Sequence, residues 1–107
     1  MRTIDETVIA KAVELLRQNA KPRKIILFGS HARGQAKAES DVDLLVVEDQ
    51  VDDVMREMVR LRRVLSPLRI PVEVLIVSMT HFAEWSDTPG NVLYEAAVDG
   101  KVVYEAT

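Results

Sequence analysis

Two apolar runs, Ile25–Phe28 and Leu44–Val47, flank a short polar segment that opens with Gly29-Ser30 and closes with Ser40-Asp41-Val42-Asp43. This stretch constrains the fold more than any other part of the chain. Each run has the length and apolar density of a buried strand. The first stops abruptly at a glycine, and the second is entered past two carboxylates. Alternate residues of a strand point to the same face, so Asp41 and Asp43 are expected to project side by side. Two carboxylates that close repel and raise each other's pKa. A divalent cation between them removes that cost, and Mg²⁺ in particular is held by one or two protein carboxylates together with substrate phosphates. Gly29-Ser30 suits the phosphate half of such a site. Glycine lets backbone approach a ligand closely, and a short helix opening at Ser30 and running to about Gly34 would offer free N–H groups and a hydroxyl. No Gly-Lys-Ser/Thr follows, so this is not a P-loop.

These residues resemble the nucleotidyltransferase superfamily that includes DNA polymerase beta. They are most similar to its smallest members, the minimal nucleotidyltransferases encoded beside HEPN-domain toxins. The pattern stands here as Gly29-Ser30-His31-Ala32-Arg33-Gly34 and Ser40-Asp41-Val42-Asp43-Leu44. The combined signature is specific, whereas Gly-Ser or Asp-x-Asp alone is not. The family carries a third carboxylate, usually aspartate, on a later strand. The matching position here is Glu73, within Pro71-Val72-Glu73-Val74-Leu75-Ile76-Val77, a side chain one methylene longer.

The resemblance implies an α/β nucleotidyltransferase-like fold, a small mixed β-sheet flanked by helices. It implies Mg²⁺-dependent transfer of a nucleotidyl group, AMP from ATP or the equivalent from another nucleoside triphosphate, to a hydroxyl acceptor. Asp41, Asp43 and Glu73 are then the catalytic and metal-binding residues, around two Mg²⁺ ions. Gly29, Ser30, Arg33, Gly34 and Ser40 are the nucleotide-binding residues. For the smallest members the family implies a HEPN toxin as partner and one of its tyrosines as acceptor, which makes this chain an antitoxin. Two rival readings stand beside it: a catalytically weak module that neutralises its partner by masking it, and a transferase acting on a small-molecule hydroxyl.

Several alternatives stay open at individual residues. Arg33 suits a phosphate or an ion pair with Glu39. Ser40 suits local capping as well as a ligand. Ionised and unpaired in a buried strand, Glu73 would be costly; a metal, an arginine or hydrogen bonds would each relieve it. His31 reads as a loop histidine and His81 as a helix-surface one. No Ser-His-Asp arrangement or histidine-rich metal spacing is present. Trp85, Tyr94 and Tyr104 read as core or interface, and the methionines, Met55 and Met58 among them, as core.

At 107 residues the chain is expected to form a single domain, residues 1–107. It has no cysteine, so disulfides and thiolate metal sites do not arise. The start lacks the apolar core of a signal peptide, and no apolar run is long enough to span a membrane. A cytoplasmic protein is expected. The formal charge of −3 gives no support for nucleic acid as a direct ligand, and both homo- and hetero-oligomers are compatible with the surface. The basic groups Lys21/Arg23/Lys24 and Arg60/Arg62/Arg63 read as solvated surface.

Along the chain, Thr3-Ile4-Asp5-Glu6 has capping-box spacing, and Ile4, Val8, Ala12, Leu15 and Leu16 predict a helix to about Asn19. Strands are predicted over about Lys24–Phe28, Asp41–Val47 and Val72–Val77. Val51, Val54, Met55, Met58, Leu61 and Leu65 predict an amphipathic helix ended by Ser66-Pro67. A short helix capped by Ser78 or Thr80 is expected through Trp85, then a turn at Asp87–Gly90. A last helix over Asn91–Val98, closed by Gly100, leads to a terminal strand over Lys101–Tyr104.

Overall fold

The computed structural model of the chain describes residues 6–34 and 41–106. The Thr3–Asp5 part of the expected capping box therefore lies outside the described residues. The elements run α1 (Glu6–Asn19), β1 (Pro22–Phe28), β2 (Val42–Glu48), α2 (Val54–Leu65), a 3₁₀ turn (Ser66–Leu68), β3 (Val72–Ser78), α3 (Met79–Trp85), α4 (Val92–Asp99) and β4 (Lys101–Glu105). The four strands form one mixed sheet in the order β3-β2-β1-β4. β1 is antiparallel to both neighbours, and β2 and β3 are parallel, joined through α2. The mixed sheet flanked by helices agrees with the predicted fold class.

Strand alternation divides the core. Ile25, Leu27, Leu44, Val46, Val74 and Ile76 face α1 and α2, meeting Ala12, Leu16, Leu61 and Leu65. Ile26, Phe28, Leu45, Val47 and Val77 face the other way, onto Leu93 and Ala96 of α4 and Phe82 of α3. The unbroken apolar runs of β1 and β2 follow from this, because both strands are interior and covered on both faces.

Local chemistry sets the helix ends. Asp53 caps α2 by accepting from the Arg56 N–H at 3.1 Å, so the helix begins at Val54, and Val51 packs on the core from the preceding loop. Ser78, not Thr80, caps α3, accepting from the His81 N–H. Asn91 caps α4 through the N–H groups of Leu93 and Tyr94. Gly100 closes α4 because of crowding: a Cβ there would lie 2.2 Å from the Ala96 carbonyl and 2.6 Å from the Ile26 side chain.

Two expectations are corrected. No helix forms over Ser30–Gly34; the segment is a turn, held by the Arg33 N–H donating to the Gly29 carbonyl at 3.2 Å. Met55 is not core but 68% exposed, since it falls on the outward side of α2, while Met58 does pack on the core. Trp85 is 45% exposed and lines an apolar groove with His81, Val92 and Leu93, a position that suits the interface half of its reading and not the core half.

Candidate active site

β1 ends at Phe28, which pairs across the sheet with Asp43 of β2. The chain must leave the sheet there while a carboxylate stands beside it. Gly29 makes this possible in two ways. Its φ of +76° lies in the left-handed region, which costs other residues roughly 1–2 kcal/mol. A Cβ at Gly29 would also sit 2.2 Å from Asp43 Oδ2. The missing side chain of Gly29 is thus the space the Asp43 carboxylate occupies, which turns the Gly-Ser and Asp-x-Asp signatures into one local object.

Parallel pairing sets Glu73 of β3 directly beside Asp43. Asp41 stands two residues ahead of Asp43, immediately before β2. The fold therefore gathers all three predicted carboxylates at one end of the sheet. Burial pushes the Asp43 carboxyl above the usual range, and the negative charges of Asp41 and Glu73 push it further, with Glu95 adding to them and His31 opposing.

Glu73 departs from the sequence expectation. β3 is an edge strand, so the carboxylate is not buried: its side chain is 48% exposed and accepts from Arg62 of α2 at 3.1 Å. Among the described residues no three acidic or histidine side chains converge on one metal-sized point. The donor set still fits Mg²⁺ in chemistry, being oxygen-only and anionic, with Asp43 held against a backbone that has no side chain to intervene. The third carboxylate lies in register beside Asp43 but is turned to an arginine.

In the Gly29–Gly34 turn, Arg33 pairs with Glu95 of α4 at 3.1 Å; Glu39, its suggested partner, lies outside the described residues, as does Ser40. Ser30 and Gly34 lie in the turn itself, and Gly34 also has a positive φ of 72°. His31 enters the site through its effect on Asp43. Glu95 and Arg62 are the two site neighbours that sequence reasoning missed. Glu95 lies 62 positions from Arg33 with no local signal. Arg62 read as one of three solvated arginines, and only the packing of α2 beside β3 shows which carboxylate it meets.

The polymerase beta nucleotidyltransferase family model matches residues 10–107. The protein MJ1215 of Methanocaldococcus jannaschii is 34% identical over 58 residues, 52% of this chain and 67% of that one. The protein adenylyltransferase MntA of Thermococcus cleftensis is 35% identical over 51 residues, 48% of this chain and 52% of that one. The matched segments of the curated relatives cover between 47% and 67% of their lengths. Among solved structures, a chain of a toxin-antitoxin complex with AMP-PNP superposes with a TM-score of 0.65 at 25% identity, over 96% of this chain and 75% of that one.

Proposed function

We propose, taking as premise that this chain belongs to the polymerase beta nucleotidyltransferase family, that it transfers AMP from ATP to a tyrosine hydroxyl of a HEPN-type partner and so acts as an antitoxin. The observation that carries the reading is the placement of the Asp43 carboxylate in the space left by Gly29, within a fold matched over nearly its whole length by a chain of a toxin-antitoxin complex with AMP-PNP. The name of the Thermococcus cleftensis relative, a protein adenylyltransferase, points to the same reaction.

In this reading Asp41 and Asp43, joined by Glu73, would hold Mg²⁺. When bound, the ions supply charge neutralisation to the triphosphate and to the attacking and leaving oxygens of an in-line displacement. The chain's own groups do the rest. The Gly29–Gly34 turn receives the outer phosphates, and Ser30 and Ser40 offer hydroxyls to them. Arg33, on the same turn, supplies a guanidinium for a phosphate oxygen once it leaves Glu95. These contacts place the α-phosphorus for attack. The acceptor oxygen bonds to that phosphorus, the α–β anhydride bond breaks, and pyrophosphate departs. In this reading Glu73, once it leaves Arg62, takes the hydroxyl proton.

One observation favours the second reading, a weakly catalytic module that masks its partner: Glu73 is engaged by Arg62 and does not converge with Asp41 and Asp43. Incubation with labelled ATP and the protein encoded beside this chain separates the two. Transfer predicts a mass gain of one AMP on a tyrosine of the neighbour. Silencing of the neighbour without any mass gain is the outcome for masking.

A further inference from the structure

The Arg62–Glu73 pair has an unexpected path. Glu73 alternates with Leu75 and Val77, and Val77 packs toward α3 and α4. Arg62 belongs to α2, whose Leu61 and Leu65 pack on the opposite face of the sheet. A 3.1 Å contact between them must close around the edge of β3, which has no neighbouring strand on that side among the described residues. The pair therefore draws the Glu73 carboxylate outward, away from the Asp43 beside which the parallel register sets its backbone. An aspartate, one methylene shorter, would have less reach around that edge.

We infer that Arg62 is a positioning residue that parks the third carboxylate at the edge of the sheet, so that a cation seated by Asp41 and Asp43 must compete with Arg62 for Glu73. This rests on the nucleotidyltransfer reading and adds to it a built-in competitor. Both side chains of the pair are about half exposed, at 51% and 48%. Such pairs are weak and exchangeable, which suits a contact that is broken and remade. Arg63, next in sequence and also on α2, serves as a charge-matched control, because it makes no ion pair with a carboxylate among the described residues.

The test is a Mg²⁺ titration of thermal stability at fixed ATP, on the full chain. For Arg62→Ala and Arg62→Gln, the midpoint Mg²⁺ concentration is expected to fall about two- to fivefold, the scale of an exposed ion pair. Arg63→Ala should leave it unchanged, and Arg62→Ala should have no effect in a Glu73→Gln background. A midpoint that stays put or rises in both Arg62 variants overturns the inference, a rise meaning that Arg62 orients Glu73 toward the cation. An equal fall in Arg63→Ala, or a fall that persists without the Glu73 charge, also overturns it, since either reports only the removal of positive charge. A parent chain with no Mg²⁺-dependent stabilisation by ATP brings down the nucleotidyltransfer reading itself, and this inference with it.

Discussion

β2 carries a carboxylate near each end, and the two are handled in opposite ways. Asp43 lies at the Gly29 end. Glu48 lies at the other end and, by alternation, on the other face, toward α1 and α2. Burial is the first cause of a raised pKa at both. Glu48 is pushed up to about 7 by that burial, by a hydrogen bond with Glu57 and by the charge of Glu57, with Arg60 opposing. The chain relieves this end in part from within, although Glu48 Oε2 stays buried with no hydrogen-bond partner among the described residues. Arg60 donates to Glu57 at 2.7 and 2.9 Å and to the Asn19 carbonyl at 2.7 Å, holding the Glu57 carboxyl below the usual range. The raised Glu48 and the lowered Glu57 are neighbours, and Arg60 ties Glu57 to the end of α1. Around Asp43 the acidic neighbours Asp41, Glu73 and Glu95 all raise its pKa, and among the described residues only His31 is set against them. The lesson is that a perturbed carboxyl does not by itself mark a functional site. What distinguishes the Gly29 end is negative charge left facing an open, side-chain-free backbone.

The sharpest way to break this comparison is to neutralise each carboxyl in turn. Asp43→Asn should reduce transfer by more than the roughly 10- to 100-fold typical of residues that only support metal ligands. Without cation its thermal stability should be equal to the parent's or slightly higher, since like-charge repulsion is relieved. Glu48→Gln should leave transfer within about twofold. Assays of AMP incorporation, paired with melts, check both; equal losses from the two variants would erase the distinction.

Gly29→Ala should come next in size. The positive φ alone costs roughly 1–2 kcal/mol, and the added methyl must displace the Asp43 carboxylate. Urea unfolding should show that loss together with a weaker Mg²⁺-dependent response to ATP. A stability loss with an intact response would separate the turn from the site.

The smallest expected effect is on pH. The folded chain holds the Glu48 proton more tightly than the unfolded chain, whose value is near 4.5. That stabilisation is complete below 4.5 and is lost as pH rises to about 7 and beyond. Glu48→Gln should flatten this fall and be more stable than the parent at pH 8 by about 1 kcal/mol, a figure kept small for partial solvation. Urea melts at pH 5 and pH 8 measure it. A parent whose stability rises between those values would contradict the proton-sharing account of this end.

Much of this arrangement was legible in the residues. The Gly29 and Asp43 motifs are local, each carried by a strand end, and strand periodicity joins them. The sheet was readable because β1 and β2 are apolar throughout and α2 separates β2 from β3. The burial of Glu73 was misjudged because an apolar run does not reveal whether its strand is central or at an edge. The supposed helix after Ser30 failed for a different reason: the segment makes one turn and then meets Gly34, at positive φ. The Glu48–Glu57–Arg60 network had no sequence signal either. Its members sit on a strand end and a helix face that only the packing of α2 against the sheet brings together.

The central claim is that the Gly29 end of β2 exists to seat a cation with a triphosphate and the Glu48 end does not. Titration calorimetry of ATP into the parent, Asp43→Asn and Glu48→Gln, each with and without Mg²⁺, tests it most directly. The parent and Glu48→Gln should bind ATP weakly without Mg²⁺ and much more tightly with it, because the carboxylates otherwise repel the phosphates, and Asp43→Asn should lose most of that gain. Equal affinity of the parent with and without Mg²⁺, or an Asp43→Asn variant that keeps the full gain, would contradict it.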